Sequence, residues 1–220
     1  MTKTTKKYLF TGAHFDDVEI STMGTMVKLL ENRNNMIYFT VVSRQETDWE
    51  YAKRRVEQFN VLKFLNGFEN FEYIDNAIVA TEKSLVDGKL THRVLEIRDL
   101  VESIVETKGI DIVFTTYTHD THPDHVALSN AVDMAARKIS IVQYETPNAF
   151  DFIPNFYTVL DEFEITKKIE LLACHVSQNE KNENFYLNKV KATAVFRGQA
   201  VFAAYAEAFY VKRLVNGFAV

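Results

Sequence analysis

Residues 8–31 read YLFTGAHFDDVEISTMGTMVKLLE, and this stretch decides the fold. Its first part, Tyr8–Ala13, is a short apolar run with a glycine near its end, which is typical of a buried strand. From Ile20 to Glu31 the apolar residues recur at helical spacing. The next apolar run, Met36–Val42, is β-branched and aromatic and predicts a second buried strand. A strand, a helix and a strand in this order predict a parallel pair joined by a crossover.

The same alternation continues along the chain without a change in composition that would mark a domain boundary. Further strands are predicted at Phe71–Ile74, Ile110–Thr115, Ile139–Tyr144, Phe156–Leu160 and Phe209–Leu214, and helices at Glu50–Leu65, Arg93–Glu106, Val126–Arg137 and Ile165–His175. We therefore predict one α/β domain over residues 1–220. Its expected architecture is a Rossmann-like three-layer sandwich, in which helices cover both faces of a mostly parallel sheet.

Two of the predicted helices carry specific expectations. The apolar residues of the helix at Glu50–Leu65 are expected to face the core: Val56, Phe59, Leu62 and Phe64. The last helix of the chain is expected to be interrupted at Gly198, because glycine is a poor helix former.

The composition is that of a globular protein that acts on something small. Lys and Arg number 25 against 30 Asp and Glu, which gives a net charge of −5, and no sustained basic stripe occurs. Nucleic acid is therefore not an expected partner. No apolar run in the sequence is long enough to span a membrane. We also expect no signal peptide, because the residues around Tyr8 form too short an apolar run for one. The single cysteine, Cys174, cannot form an internal disulfide, which suits a cytoplasmic protein.

Two polar loops follow two of the predicted strands. The first is GAHFDDVE at residues 12–19, and the second is YTHDTHPDH at residues 117–125. Four of the six histidines lie in these loops. In open α/β sheets a ligand binds beyond the carboxyl ends of the strands, near the point where the strand order reverses. We therefore expect the two loops to meet at one edge of the sheet and to form the functional site.

The residue types in these loops suit a catalytic zinc ion. Two imidazoles and one carboxylate, with a fourth position open, form a known catalytic zinc arrangement. His14 and Asp17 are three residues apart in a turn that enters a helix, and His125 can complete the set from the second loop. A zinc-activated water is available for hydrolysis at neutral pH.

The neighbouring polar residues have candidate roles in the same chemistry. Asp16 lies beside Asp17 and is placed to act as a general base on that water. His122, one helical turn before His125, faces the developing oxyanion or the leaving group in this interpretation. Asp124 is expected to hydrogen-bond a neighbouring imidazole and so fix its tautomer. His119 and Asp120 are expected to be loop residues or to contact the ligands from behind.

Each loop also has a simpler structural interpretation. The acidic residues of the first loop complement the dipole of the following helix, and the second loop caps the next helix with Pro123 in its first turn. Since both loops follow buried strands, we favour the metal site over two unrelated helix starts.

The combination of motifs resembles the LmbE-like, or PIG-L, family of zinc-dependent N-acetylglucosaminyl deacetylases. The likeness rests on His-x-Asp-Asp-x-Glu at His14–Glu19 and His-Pro-Asp-His at His122–His125, and it extends to Arg54-Arg-Val-Glu57 and to Ala-Glu-Ala-Phe at 206–209. The resemblance implies a Rossmann-like sheet and a zinc ion held by His14, Asp17 and His125. It further implies Asp16 as general base, His122 as acid or electrostatic stabiliser, and Arg54 reaching toward the substrate. The implied substrate is an N-acetylated amino sugar, free or conjugated.

Two other functions remain open from the residues alone. A metal-dependent phosphoesterase would also use loops rich in Asp and His, but it would need two metal ions. A non-catalytic module that binds sugars or nucleotides would keep the fold without turnover. Dinucleotide binding is not expected, because the first loop lacks Gly-x-Gly-x-x-Gly.

Overall fold

The computed structural model describes residues 5–44, 47–75, 85–181 and 185–215. The strands in these ranges are β1 (Lys6–Gly12), β2 (Asn35–Val41), β3 (Phe71–Tyr73), β4 (Ile112–Thr116), β5 (Ser140–Tyr144), β6 (Phe156–Leu160) and β7 (Tyr205–Arg213). The α-helices are α1 (Asp17–Glu31), α2 (Asp48–Leu65), α3 (Val94–Lys108), α4 (Pro123–Ala135), α5 (Glu162–Ala173), α6 (Val176–Lys181) and α7 (Phe185–Gln199).

The strands form one seven-stranded sheet in the order β3-β2-β1-β4-β5-β7-β6. The pairs β1–β2, β1–β4, β2–β3 and β4–β5 are parallel, whereas β7 runs antiparallel to both β5 and β6. This arrangement confirms the predicted α/β fold with a mostly parallel sheet. Because the chain moves from β1 to β2 on one side and later returns to β4 on the other, the strand order reverses between β1 and β4.

Helices cover both faces of the sheet. Leu9 and Phe10, which are adjacent in β1, belong to different hydrophobic clusters, because successive side chains of a strand point to opposite faces. The Phe10 cluster includes residues of α1, α2 and α5, and the Leu9 cluster includes residues of α3 and α4. The structure is therefore the three-layer sandwich that the sequence predicted. The prediction of a single domain over residues 1–220 includes stretches outside the described ranges and stays a prediction.

The helices at the two polar loops begin before their apolar patterns do. Helix α1 begins at Asp17 rather than near Ile20. Helix α4 begins at Pro123, before the apolar pattern that starts at Val126, which confirms that the proline lies in the first turn. In α4, His122 is the N-cap and its side chain accepts a hydrogen bond from the backbone N–H of Asp124. Both polar loops therefore turn directly into a helix. None of the helices in the described part of the chain is long and apolar enough to cross a membrane.

The predicted core face of α2 is partly wrong. Val56 and Phe59 are 62% and 56% exposed, although Leu62 is buried as expected. The buried face of the helix begins instead with three polar residues, Arg54, Glu57 and Gln58, before it turns apolar. These polar side chains pair with groups from the first loop, α1 and α6, so burial follows hydrogen bonding here rather than hydrophobicity.

The predicted interruption at Gly198 is also wrong, because α7 continues through it to Gln199. A Cβ atom at this position would lie 2.6 Å from the carbonyl oxygen of Ala203 and 2.9 Å from the backbone nitrogen of Tyr205. The glycine therefore lets the chain fold back closely over the end of the helix and lead into β7.

Replacing Gly198 with alanine should destabilise the protein by about 1–3 kcal/mol, although alanine is the better helix former. The added methyl group would meet backbone atoms, which cannot move aside as a side chain can. Urea denaturation measures this change, with Lys191→Ala on the exposed side of the same helix as the control. Equal or higher stability of Gly198→Ala would contradict the close approach.

Candidate functional site

The loops after β1 and β4 meet at the point where the strand order reverses. They bring together three imidazoles: the ring centroids of His14 and His122 are 4.7 Å apart, those of His14 and His125 5.3 Å, and those of His122 and His125 4.7 Å. One nitrogen of each ring lies within 4.8 Å of the other two. His14 and His125 are buried, and His122 is half-buried. The histidines are therefore arranged as a single cluster, as the two loops predicted.

The carboxylate of Asp17 joins two of these histidines. Its Oδ1 atom is 3.2 Å from Nε2 of His125, and its Oδ2 atom is 3.4 Å from Nδ1 of His14. Oδ2 also accepts a hydrogen bond from the backbone N–H of His14 at 2.8 Å. The three residues predicted as metal ligands thus converge from two loops.

The other nitrogen of each of these two imidazoles contacts a second carboxylate. Nε2 of His14 is 3.2 Å from Oδ2 of Asp124, and Nδ1 of His125 is 2.8 Å from Oδ2 of Asp120. Such contacts fix the tautomer and the orientation of a ligating histidine. They leave Nδ1 of His14 and Nε2 of His125 directed toward Asp17.

The two supporting carboxylates are themselves held by hydrogen bonds. Asp124 is fully buried and accepts from the backbone N–H groups of Gly88 at 2.6 Å and of Leu90 at 3.0 Å. Asp120 accepts from the backbone N–H of His122 at 2.7 Å and from the hydroxyl of Thr146. Asp124 therefore orients His14, as predicted for an imidazole partner, and its burial keeps it away from solvent.

The chemistry of the donor set fits a divalent metal ion. Nε2 of His125 is buried and has no hydrogen-bond partner among the described residues, although Asp17 lies close to it. A buried nitrogen without a partner costs free energy unless something binds it. Two imidazole nitrogens and a carboxylate oxygen are the ligands that zinc takes in catalytic sites.

The charges of the cluster point the same way. Although burial alone would lower the pKa of His14, the carboxylates of Asp17 and Asp124 raise it well above its usual value. Burial likewise opposes the charge on His125, but Asp17 and Asp120 raise its pKa to about 9. Burial would raise the pKa of Asp17, yet the two histidines hold it well below its usual range. The carboxylates thus favour positive charge at the centre of the cluster.

Asp16 has an unusual backbone conformation at the start of α1. It is the N-cap residue, its φ is 97°, and its side chain makes no capping hydrogen bond. A non-glycine residue in this region costs about 1–3 kcal/mol and is often found at functional sites. Burial raises the pKa of Asp16 to about 6, against the opposing effects of Arg54 and His175. Its carboxylate therefore lies beside the cluster without serving as a cap.

Arg54 holds this strained turn from α2. It donates a hydrogen bond to the carbonyl oxygen of Phe15, and one of its terminal nitrogens is 3.2 Å from Oδ1 of Asp16. Its Nε atom is 4.0 Å from Glu57, whose carboxylate accepts from the backbone N–H and the hydroxyl of Ser177. The residue predicted to reach the substrate is thus buried against Asp16, and it also lines the adjacent cavity.

His122 presents one defined hydrogen-bonding group to the cluster. Its Nδ1 atom accepts from the backbone N–H of Asp124 at 3.2 Å, so the neutral ring carries its proton on Nε2. Burial lowers the pKa of His122, and the neighbouring His14 and His125 lower it further. The side chain is therefore a neutral hydrogen-bond donor at Nε2.

A cavity of about 410 Å³ opens next to the cluster. It is lined by Trp49, Glu50, Lys53, Arg54, Asp87, Ser177, Gln178 and Lys181. Asp87, at the inner wall, has its Oδ1 atom 3.2 Å from Nε2 of His14. The cavity therefore adjoins the cluster through Arg54 and Asp87 and has room for a sugar-sized ligand.

Sequence reasoning missed two contributors to the site. Asp87 follows none of the predicted strands, and only the following glycine, Gly88, which adopts a positive φ, marks its turn. Thr146 lies in the loop after β5 and supports His125 only through Asp120. For Asp120 itself the sequence predicts a loop residue or a contact to a ligand from behind, and the structure places its carboxylate against Nδ1 of His125.

Comparison with known proteins identifies the family. The PIG-L family model, described as GlcNAc-PI de-N-acetylase, matches residues 9–136, which is more than half of the chain. The deacetylase YaiS of Escherichia coli (strain K12), itself described as uncharacterized, is 26% identical over 176 residues, or 78% of this chain and 91% of that protein.

Solved structures share the fold over nearly the whole chain. The conserved protein TT1542 from Thermus thermophilus has a TM-score of 0.74 at 19% identity, with 96% of this chain and 97% of that chain covered. The N,N'-diacetylchitobiose deacetylase from Pyrococcus horikoshii has a TM-score of 0.70 at 21% identity, with 94% and 83% covered. The matched residues 9–136 contain both loops of the cluster. The chain therefore belongs to the PIG-L family and is a deacetylase of the PIG-L type.

Proposed function

We propose that the protein removes the acetyl group from an N-acetylated amino sugar or its conjugate, with one zinc ion held by His14, Asp17 and His125. One observation carries the proposal. Nδ1 of His14 and Nε2 of His125 both lie beside the carboxylate of Asp17, while the other nitrogen of each ring contacts Asp124 or Asp120. The family description and the name of the Pyrococcus horikoshii protein both specify N-acetyl sugars, which supports this class of substrate.

When bound there, zinc supplies a Lewis acid for the acetamide carbonyl and lowers the pKa of a coordinated water to about 7. Asp16 would act as the general base toward the attacking water. Arg54 engages Oδ1 of its carboxylate, which leaves Oδ2 to accept the proton. The left-handed turn at Asp16, held through the carbonyl of Phe15, fixes the carboxylate beside the cluster.

His122 stabilises the oxyanion that forms on the substrate. Its Nε2–H is the donor, because Nδ1 is engaged by the backbone of Asp124. The water oxygen adds to the carbonyl carbon, the bond from carbon to nitrogen breaks, and the departing amine takes the proton that Asp16 received. The products are acetate and the free amino sugar. Asp124, fully buried, positions His14 and does not touch the substrate in this assignment.

The alternative function, a phosphoesterase, needs a second metal ion. One further set of side chains in the described residues is a candidate for binding it. His14, Asp87 and Asp124 also place ligand atoms within 4.8 Å of one another. In this group, however, both carboxylate oxygens of Asp124 already accept hydrogen bonds from backbone N–H groups. The Nε2 atom of His14 already contacts Asp124. We therefore assign the second group to holding His14 in place.

The proposed activity is tested by measuring acetate released from N-acetylglucosamine in free, nucleotide-linked and lipid-linked form. At least one of these sugars should be deacetylated, and hydrolysis of a phosphodiester such as bis(p-nitrophenyl) phosphate should stay at the level of the buffer. Phosphodiester hydrolysis without acetate release would overturn the proposal in favour of the phosphoesterase.

Replacing Asp120 with alanine should weaken zinc binding by about 10- to 100-fold, because partners behind a ligand orient it and raise its basicity. His125 would lose the carboxylate that holds its Nδ1 atom. Competition with a zinc chelator of known affinity measures the change. Asp133→Ala, on α4 and paired with Lys212 and Arg213 at the surface, is the matched control and should leave the affinity unchanged. Unchanged affinity in Asp120→Ala would refute this supporting role.

A further inference from the structure

The cavity of about 410 Å³ has an inner part, where the charged side chains contact residues of the site, and an outer part, where two lysines have no acidic partner among the described residues. At the inner wall, Arg54 contacts Asp16 and Asp87 contacts His14. These two residues are therefore the part of the cavity wall that touches the site. The outer wall is formed by the first turns of α2 and the end of α6.

The outer wall carries two lysines without an acidic partner. Lys53 and Lys181 both line the cavity and are exposed, and neither ammonium group has a carboxylate within 4.0 Å in the described part of the chain. The lining as a whole carries three basic side chains, Lys53, Arg54 and Lys181, against two acidic ones, Glu50 and Asp87. Asp87 contacts His14, and Glu50 accepts a hydrogen bond from the hydroxyl of Thr47 at the N-cap of α2.

The positive charge of this outer wall contrasts with the net negative charge of the whole protein. The chain has five more acidic than basic residues, and most of its lysines and arginines with described contacts lie beside a carboxylate. Two unpaired ammonium groups at the mouth of one cavity repel each other and attract an anion. The indole of Trp49, 72% exposed with Nζ of Lys53 5.8 Å from its ring centroid, adds an apolar surface beside them.

We infer that the outer part of this cavity binds an anionic group of the substrate, a phosphate or a carboxylate, through Lys53 and Lys181. This inference rests on the proposed function and narrows its substrate class to amino sugars or conjugates that carry a negative charge. The acetamido group occupies the inner end, beside Asp16 and His122. The two lysines act on substrate affinity, because they lie on the outer wall, away from the reacting bond.

The inference is tested by kinetics on neutral and anionic substrates of the same sugar. N-acetylglucosamine is the neutral substrate, its 1-phosphate and 6-phosphate carry the phosphate, and N-acetylmuramic acid carries a carboxylate. The measured quantity is the ratio of kcat/KM for an anionic substrate to kcat/KM for the neutral one. The double variant Lys53→Gln/Lys181→Gln should lower this ratio about tenfold, mainly through KM, since one exposed ion pair contributes up to about fivefold. Added salt should lower the wild-type ratio in the same direction.

The matched control is Lys63→Gln, an exposed lysine ten residues further along α2 that does not line the cavity. It should leave the ratio unchanged. A second measurement needs no turnover: calorimetry of N-acetylglucosamine 1-phosphate with Asp16→Asn protein, with and without the two lysine substitutions. The affinity should fall about tenfold when both lysines are replaced.

The possible failures are distinguishable. If the neutral sugar is deacetylated and the double variant leaves the ratio and the affinity unchanged, the anion site is overturned while the proposed function stands. If no sugar in the set releases acetate, the proposed function fails for this set, and calorimetry decides the anion site. An affinity of the phosphorylated sugar that does not depend on the lysines overturns the site in that case too.

Discussion

Replacing Asp17 with alanine should remove both the bound zinc and the acetate-releasing activity. The carboxylate of Asp17 lies between His14 and His125, so its loss removes the one anionic ligand of the proposed set. A catalytic metal contributes several kcal/mol to transition-state stabilisation, and about 4 kcal/mol corresponds to a loss of about a thousandfold in kcat/KM. Elemental analysis of the purified variant and an acetate assay measure the two effects together.

The control for this variant must separate metal loss from misfolding. Asp17 also accepts the backbone N–H of His14, so circular dichroism should show that the helices of the variant are retained. Asp48→Ala changes the first residue of α2, a carboxylate at the same place in its helix as Asp17 in α1. It should keep zinc and activity. A folded Asp17→Ala protein with one zinc ion and the wild-type rate would refute the ligand assignment.

Replacing Asp16 with asparagine should lower kcat by about 10²- to 10⁴-fold and leave the zinc content unchanged, because general base catalysis contributes an effect of this size. Asparagine is the best substitute here, since it has the size of aspartate and tolerates the left-handed backbone that Asp16 adopts. The loss is then chemical rather than conformational.

The two adjacent carboxylates should therefore behave differently. Single-turnover kinetics on the zinc-loaded Asp16→Asn protein, with metal content measured on the same sample, shows whether the chemical step is slow. A wild-type chemical step would reject Asp16 as the base. Loss of zinc from Asp16→Asn would instead show that Asp16 is a ligand, contrary to its contact with Arg54.

The sequence is most informative where strand, loop and helix follow one another closely. Apolar runs locate β1 and β4, and the polar loops behind them can be expected to meet, because parallel strands direct their carboxyl ends to one edge. Helix starts taken from the apolar pattern alone lie too late, since residues such as Asp17 and Pro123 favour the first turn but interrupt the apolar pattern by which the helices are found.

Hydrophobic periodicity fails where the buried face is polar. In α2, Val56 and Phe59 are exposed while Arg54 and Glu57 are buried. Arg54 contacts the strained turn at Asp16, and Glu57 accepts hydrogen bonds from Ser177 of α6. A pattern of apolar residues does not identify a helix face whose charged side chains are buried because they form hydrogen bonds and ion pairs.

Contacts between distant segments are equally hidden. Asp87 reaches His14 from a turn with no periodic signal, and Thr146 acts on His125 through Asp120. The role of Gly198 also depends on the return of the chain over α7, which no local pattern records. Local sequence thus predicts the cluster itself, and tertiary contacts supply the groups that hold it.

The most direct test of the central claim is a zinc titration of metal-free protein with acetate release measured at each step. One ion held by His14, Asp17 and His125 predicts that the rate is near zero without metal, rises in proportion to added zinc and reaches its maximum at one equivalent. A full rate in the metal-free protein, or a maximum only at two equivalents, would contradict the account.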